Sequence, residues 1–286
     1  KLPYVVHRFF ELSHILAEIK RSDADSVVCC SNPGIVTAII CAVSGRGKLF
    51  VVPNALLITD LPLRFLEKVG LKATLFQGPV IDHLSEEPAQ VLKSLNSKLY
   101  SKCINKIAPV SFSDYSNVKK ENHRDIDVLM IGRFIEGKGY ELLERIGPML
   151  KNYSVHCCGF GDREIKIPSA HVYQTDDPFS VCARAKVFLS IQESNNYPSQ
   201  SLIEAMASGC AVIATDVGET KNLITNDRGW LIPYDDTVLE KTIRYALNNP
   251  HLCERYGRRA QEYVLERFTV AIYSEYFCRE VLCLKG

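Results

Sequence analysis

Short apolar runs alternate with segments of helical periodicity along the chain. In the second half the strand-like runs are DVLMIG (127–132), SVHCCGFG (154–161), AKVFLSI (185–191), AVIAT (211–215) and WLIP (230–233). The periodicity predicts helices over 138–150, 178–184, 199–208, 236–248, 250–265 and 269–283. Strands that alternate with helices are typical of a parallel sheet covered by helices. This half therefore predicts a doubly wound α/β domain.

The first part of the chain is less regular. It predicts helices over 7–20, over 34–43 and near 87–104, with strands in SVVCC (26–30) and KLFVV (48–52), so only two clear strands precede residue 110. The polar stretch 113–127 has no apolar periodicity and is interpreted as a linker. We therefore predict a partial N-terminal domain with linker over 1–122, a C-terminal domain over 123–268, and a helix over 269–286 that packs back toward the first domain. The opening residues resemble an internal helix, so the chain is expected to begin within a domain.

Composition narrows the classes of function. The 286 residues are 47% hydrophobic and carry 34 basic and 33 acidic side chains, spread without a basic cluster, so nucleic acid is not an expected partner. The most apolar stretch, 34–43, is much shorter than the ~20 residues that cross a bilayer. The eleven cysteines form no C-x-x-C pair, which favours reduced, buried thiols and a cytoplasmic protein.

Two cations follow the strand DVLMIG. Arg133 comes directly after Gly132, and Lys138 lies in a glycine-flanked turn that opens the next helix. Ligands of parallel sheets bind beyond the carboxyl ends of strands, and a helix N-terminus adds positive potential there. The pair predicts a site for an anion such as a diphosphate. The alternative is that Arg133 pairs with a carboxylate at the edge of the core and Lys138 only solvates the turn.

A second segment of interest surrounds Glu204, the only charged residue between Ser194 and Thr215. A carboxylate in an apolar helix needs hydrogen-bond donors, and sugar or ribose hydroxyls are suitable. The alternative is that Glu204 faces a solvent channel or pairs with a structural Arg. Asn196-Tyr-Pro-Ser199 reads as a helix cap with Pro198 near the first helical position, which would leave the N–H groups of Ser199, Gln200 and Ser201 free for phosphate.

Two weaker features complete the candidates. Gly159-Phe-Gly161 follows a strand and permits close approach to a ligand, although a plain tight turn explains it as well. Asp125-Ile-Asp127 has the carboxylate spacing of metal-dependent sugar transferases but precedes a strand instead of following one. No metal site is predicted there.

Taken together, these segments resemble the retaining glycosyltransferases of family 4. Gly132, Arg133, Lys138 and Gly139 match the family's G-R-x4-K-G segment, and 203–209 with 211–218 match its E-A-M-A-x-G and V-V-A-T-D-x-G segments. The resemblance implies the GT-B fold of two doubly wound Rossmann-like domains, of which the first is truncated here. It also implies a nucleotide-sugar donor, a glycan, lipid-linked or small-molecule acceptor, no metal and no cofactor.

The resemblance assigns a role to each matching position. Arg133 and Lys138 would be catalytic and hold the donor diphosphate, Glu204 would accept ribose hydroxyls, and Gly132, Gly161, Ser199 and Gln200 would contact the nucleotide. Asn196 stands where the family has its first catalytic Glu, so a neutral amide would contact the transferred sugar. Glu193 is a possible partial substitute.

The first domain departs further from the family. The family's catalytic His is expected near Pro53 or Asn54, where no His occurs, and the seven His residues have contexts typical of packing or exposure.

Three hypotheses follow. The leading one is a retaining glycosyltransferase, at most peripherally attached to a membrane. The second is a non-catalytic GT-B remnant that binds nucleotide sugar or a partner. The third is an epimerase or phosphorylase, for which the extra catalytic residues and the anchoring Lys cannot be located.

Overall fold

The computed structural model describes residues 4–29, 35–44, 49–53, 65–110, 113–115, 118, 123–168 and 170–282. The chain divides into two compact units, one formed by residues 1–109 and 271–286 and the other by residues 110–270. The boundaries predicted from the sequence follow residues 122 and 268, whereas the structure divides the chain after residues 109 and 270. Among the described helices, none combines the length and the apolar character that crossing a membrane requires.

The first unit contains a parallel sheet in the order β1-β2-β3-β4. Its strands are β1 (Ser26–Val28), β2 (Leu49–Pro53), β3 (Val80–His83) and β4 (Ile104–Ile107). Its helices are α1 (Tyr4–Arg21), α2 (Ile35–Ser44), α3 (Phe65–Phe76), α4 (Glu86–Leu95) and α5 (Ser97–Tyr100). The core includes Val51, Val52 and Ile81, which have no exposed surface.

The prediction of only two strands before residue 110 was wrong. β3 has four residues, all of them buried, but two are Asp82 and His83, so it lacks an apolar pattern. The single helix predicted near 87–104 was also wrong. Asn96 interrupts it, because its side chain accepts a hydrogen bond from the Leu99 amide at 3.0 Å and begins a separate turn.

The C-terminal segment belongs to the first unit. Here α11 (Val270–Tyr276) continues in a π-helical turn, Phe277–Val281. Val281 is fully buried in a cluster with Val51 and Val80. The Tyr276 hydroxyl donates to the Asp82 carboxylate at 2.5 Å. An apolar contact and a partly buried hydrogen bond thus hold this segment on β2 and β3.

The second unit contains a six-stranded parallel sheet in the order β10-β9-β8-β5-β6-β7. Its strands are β5 (Ile126–Ile131), β6 (Val155–Cys158), β7 (His171–Tyr173), β8 (Ala185–Ser190), β9 (Ala211–Thr215) and β10 (Trp230–Ile232). Its helices are α6 (Tyr140–Ile146), α7 (Pro178–Ala183), α8 (Gln200–Ala207), α9 (Asp236–Leu247) and α10 (Pro250–Arg267). Every strand and helix predicted for this part is present. Among the described residues, the prediction missed the short edge strand β7 and the 3₁₀ turn Thr220–Asn222.

The segment interpreted as a linker has described residues inside the second unit. Tyr115 is fully buried, with its ring edge toward Phe179 at 6.0 Å between centroids. Arg124 donates to the carbonyl oxygens of Ser208 at 2.9 Å and Gly209 at 3.0 Å. It also donates to that of Cys182 at 3.3 Å. Because a helix leaves its last carbonyls unpaired, Arg124 closes the C-terminal ends of α7 and α8 together.

Candidate functional site

The second sheet has a point at which its strand order reverses. β6 and β7 extend from β5 on one side, whereas β8, β9 and β10 extend from it on the other. The loops that leave β5 and β8 therefore diverge at the carboxyl ends of two neighbouring strands. Open α/β sheets bind ligands in the crevice formed at such a point.

The loop after β5 is fitted closely against the end of β8. Gly139 has a φ of +92°, and a Cβ atom there would lie 2.0 Å from the Ile191 carbonyl oxygen. The Glu193 amide donates to the Gly137 carbonyl oxygen at 3.1 Å. Only glycine combines this backbone conformation with this proximity. The loops carrying Lys138 and Asn196 are thereby held together.

Lys138 and Asn196 meet across the reversal point. The Lys138 ammonium donates to the Asn196 side-chain oxygen at 3.0 Å. Burial lowers the pKa of Lys138, and the charge of Arg133 lowers it further. Arg133 is exposed and has no carboxylate within 4 Å among the described residues. Two cations therefore lie close together, and the partner of the more buried one is neutral. The arrangement suits a ligand with two negative charges.

The start of α8 lies in the connection that follows Asn196. Ser199 is its N-cap, with φ −78° and ψ 118°, and Pro198 precedes the helix after a cis peptide bond. The prediction that Asn196 caps the helix with Pro198 near its first position was wrong, because Ser199 itself adopts the extended conformation of a cap. The N–H groups of Gln200, Ser201 and Leu202 form the first turn, for which a helix supplies no internal acceptors. This end of the helix provides donors for an anion.

Glu204 lies one turn inside α8 and is only 5% exposed. The Gln200 side-chain amide donates to its Oε1 atom at 2.8 Å. Burial raises the pKa of Glu204, and this hydrogen bond partly opposes the rise. In the described part of the chain, no basic nitrogen lies within 4 Å of the carboxylate. The alternative of a structural Arg partner is thus not realised there, and the carboxylate retains capacity to accept hydrogen bonds.

The glycine loop after β6 packs against the loop after β5. A Cβ atom at Gly159 would lie 1.8 Å from the Gly132 carbonyl oxygen, and one at Gly161 would lie 2.4 Å from that of Phe134. The Phe134 amide donates to the Phe160 carbonyl oxygen at 2.7 Å. Close loop packing therefore accounts for both glycines, and nucleotide contact by Gly161 stays a prediction.

The acidic pair before β5 is already occupied by cations. Asp125 pairs with Arg184, and Asp127 lies 2.6 Å from the Lys186 ammonium. The guanidinium of Arg184 lowers the pKa of Asp125 to about 2. No group of three or more metal-ligating side chains occurs within the described ranges. Of the two positions considered for the family's His, Pro53 ends β2 and Asn54 lies outside the described residues.

Two residues near the site were missed from the sequence. Tyr140 is fully buried, and its hydroxyl donates to the Gly132 carbonyl oxygen at 3.2 Å, which supports the loop carrying Arg133. Glu219 follows β9, and its Oε2 atom is buried without a hydrogen-bond partner among the described residues. A buried acceptor without a partner is available to a ligand donor. Only the position of Glu219 four residues beyond a strand could have indicated it.

Comparisons with known proteins found one matching family model and several similar folds. Residues 140–278 match a family model described as glycosyl transferase-like. Anabaena Alr3699/HepE, solved with UDP, superposes with a TM-score of 0.77 at 13% identity, over 96% of this chain and 82% of that one. TarM gives a TM-score of 0.71 at 17% identity, over 96% of this chain but only 58% of that one.

A glycosyltransferase from Rickettsia africae superposes with a TM-score of 0.73 at 18% identity, over 96% of this chain and 79% of that one. No curated protein sequence matches the chain significantly. These superpositions confirm the predicted GT-B fold of two parallel-sheet α/β domains.

Proposed function

Because the chain has the GT-B fold, we propose that it transfers a sugar from a nucleoside-diphosphate sugar to an acceptor with retention of configuration. The observation that carries this proposal is the contact between Lys138 and Asn196, with Arg133 beside it. These two cations at the reversal point of a parallel sheet have no carboxylate within 4 Å in the described part of the chain, and they suit the diphosphate of such a donor. Anabaena HepE has been solved with UDP and with UDP-glucose, which supports a UDP-sugar as the first donor to test.

The chemistry assigns each group a task. The bond between the sugar C1 and the diphosphate oxygen breaks, and its electron pair stays on that oxygen. The acceptor hydroxyl oxygen bonds to C1, and its proton passes to an oxygen of the departing diphosphate. Arg133, Lys138 and the first N–H groups of α8, beginning at Ser199 and Gln200, stabilise the departing diphosphate. These donors supply positive charge at the leaving group, so we propose that transfer needs no metal ion or other cofactor.

The remaining residues hold the donor in place. Glu204 accepts hydrogen bonds from the ribose hydroxyls, and Asn196 hydrogen-bonds the transferred sugar. Gly159 and Gly161 allow the loops after β5 and β6 to pack closely. Gly132 and Gly161 would contact the nucleotide from these loops. The acceptor is a glycan, a lipid-linked sugar or a small molecule. A cytoplasmic location is supported by the nine cysteines among the described residues, which are all free and of which six are buried.

Calorimetric titration tests donor binding. We expect UDP and UDP-glucose to bind the wild type, and Arg133→Ala and Lys138→Ala each to weaken binding by about 10-fold or more, the loss expected for a charge-assisted contact. Lys241→Ala and Arg258→Ala remove exposed cations elsewhere in the second unit and serve as matched controls. Absence of binding by UDP and GDP compounds, or equal losses in the controls, would exclude the donor site.

Proton uptake gives an independent measurement. The pKa of free Lys138 is lowered by burial and by Arg133, and a bound diphosphate should raise it again. Titration near the lowered pKa, in buffers of different ionisation enthalpy, should therefore show proton uptake when UDP binds. Lys138→Met should abolish that uptake. Identical uptake by both proteins would show that the ammonium does not meet the diphosphate.

A second candidate function is donor binding without turnover, and the neutral side chain of Asn196 favours it. A carboxylate at this position would form an ion pair with Lys138 and supply negative charge near C1. Transfer or hydrolysis of UDP-sugars by the wild type, followed by NMR of the product anomer, would exclude this candidate. If Asn196→Glu gains turnover while the wild type binds donor without reaction, the binding function is correct.

A further inference from the structure

The outer face of α3 in the first unit combines exposed aromatic and basic side chains. Leu71 and Leu75 are buried on the inner face, in a cluster with Ile81 and Leu92. The opposite face exposes 78% of Phe65 and 64% of Phe76. Exposure of two bulky aromatic side chains on one helix indicates a surface that meets an apolar phase.

Lysines lie on the same stripe. With 100° per residue, positions 65, 68, 69, 72 and 76 fall within an arc of about 100°. Val69 lies between the aromatic side chains and is 44% exposed. Lys68 and Lys72 occupy the remaining positions, and the two Phe residues lie about three helical turns apart. We call the set Phe65, Lys68, Val69, Lys72 and Phe76 the α3 face.

The surroundings of the α3 face are also basic. Lys68 and Lys72 line a groove of about 400 Å³ beside Val91, Ser94 and Leu95 of α4. The Lys102 ammonium lies 5.3 Å from the centre of the Phe76 ring. Within the described ranges, none of these three lysines has a carboxylate within 4 Å. Their charge is available to anions outside the protein.

We propose that the α3 face docks on a membrane surface that contains anionic lipids. Protein interfaces are enriched in aromatic residues but depleted in lysine, whereas interfacial helices combine an apolar surface that carries Phe with lysines that are attracted to anionic lipids. Lysine stems lie along the apolar boundary while their ammonium groups reach lipid phosphates. The α3 face has the second composition. Phe65 and Phe76 enter the lipid at its two ends, and Lys68 and Lys72 contact headgroups between them.

Vesicle co-sedimentation of the full chain tests this proposal without any donor present. We expect binding to phosphatidylcholine vesicles that contain about a third phosphatidylglycerol, and much weaker binding to phosphatidylcholine alone. Phe65→Ser with Phe76→Ser should weaken binding about 10-fold or more, and so should Lys68→Glu with Lys72→Glu. All substituted residues are on the surface, so thermal unfolding should stay near wild type and confirm folding.

Matched pairs of substitutions in the second unit distinguish vesicle binding by the α3 face from nonspecific binding by any exposed apolar or basic side chain. Met149→Ser with Tyr245→Ser removes two exposed apolar side chains, and Lys151→Glu with Lys221→Glu reverses two exposed charges. Both pairs should bind vesicles like wild type. Absence of wild-type binding, or equal losses in the control pairs, would overturn the proposal. Self-association in solution that Phe65→Ser abolishes would instead assign the face to a second copy of the chain.

Discussion

Glu204→Gln replaces the buried carboxylate of α8 by an amide of the same shape. The Gln200 amide donates to Oε1 of Glu204 at 2.8 Å, and an amide oxygen can accept the same bond. The substitution therefore removes the charge while it leaves the packing of α8 intact. We expect opposite effects on stability and on nucleotide binding.

The stability effect follows from the raised pKa of Glu204. The folded protein holds the carboxyl proton more tightly than the unfolded chain, in which the pKa is near 4.5. As the pH rises above that value and through the folded-state pKa, wild type loses stability that the variant keeps. At about pH 8 the variant should unfold with a free energy about 1–2 kcal/mol higher than wild type, the cost of a buried charge with one donor. The difference should shrink toward zero as the pH approaches about 4.5.

The binding effect has the opposite sign. A hydrogen bond to a charged acceptor contributes about 1.5–3 kcal/mol, so loss of the carboxylate should raise the Kd for UDP about 10-fold or more. Urea unfolding at two pH values and calorimetric titration with UDP measure the two effects. Glu266→Gln is the control, because this carboxylate is exposed on α10. Equal stability of variant and wild type at high pH would refute the reasoning, since the carboxylate would then be fully satisfied in the free protein.

Four further substitutions test contacts within the two units. Gly139→Ala should lower the unfolding free energy by about 2–4 kcal/mol and weaken UDP binding, because its Cβ would meet the Ile191 carbonyl. Gly137→Ala has a similar φ but open space around its Cβ, so it should lower the unfolding free energy by only about 1–2 kcal/mol. Urea unfolding measures both losses. Arg124→Met should lower the unfolding free energy by about 2–4 kcal/mol, since carbonyls at the ends of α7 and α8 lose their donor; a loss below about 0.5 kcal/mol would contradict this role. Tyr276→Phe removes the hydroxyl that donates to the buried Asp82, so the pKa of Asp82 should rise further. The loss in unfolding free energy should therefore grow from acidic to neutral pH. A loss independent of pH would contradict this role of Tyr276.

The second unit could be predicted from the sequence because its strands are long apolar runs. β5 and β8 are almost fully buried and keep the pattern of a parallel sheet with helices on both sides. The short β7 carries two exposed residues at the edge of the sheet, and β3 ends in Asp82 and His83. In both strands tertiary contacts, not local pattern, determine the conformation.

The residues of the candidate site could be proposed from the sequence, but the contacts among them could not. Lys138 and Asn196 are 58 positions apart, and they meet only because β5 and β8 are neighbours, which strand order along the chain does not reveal. The side-chain bond between Gln200 and Glu204 follows from helical spacing and could have been proposed. Arg124 could not have been identified, because its acceptors are main-chain carbonyls that no pattern in the sequence marks.

The contact between Lys138 and Asn196 has a consequence for the cost of ligand entry. If the partner of a lysine is a carboxylate, an arriving anion must displace that carboxylate, and the net gain in binding free energy is small. Here the competitor is an amide, which restricts the rotamers of the lysine but leaves its charge unsatisfied. The side chain has thus already lost part of its conformational freedom before the ligand arrives, while its electrostatic attraction is undiminished. A site of this kind binds a doubly charged group such as a diphosphate in preference to a singly charged anion, and it allows the bound group to exchange rapidly.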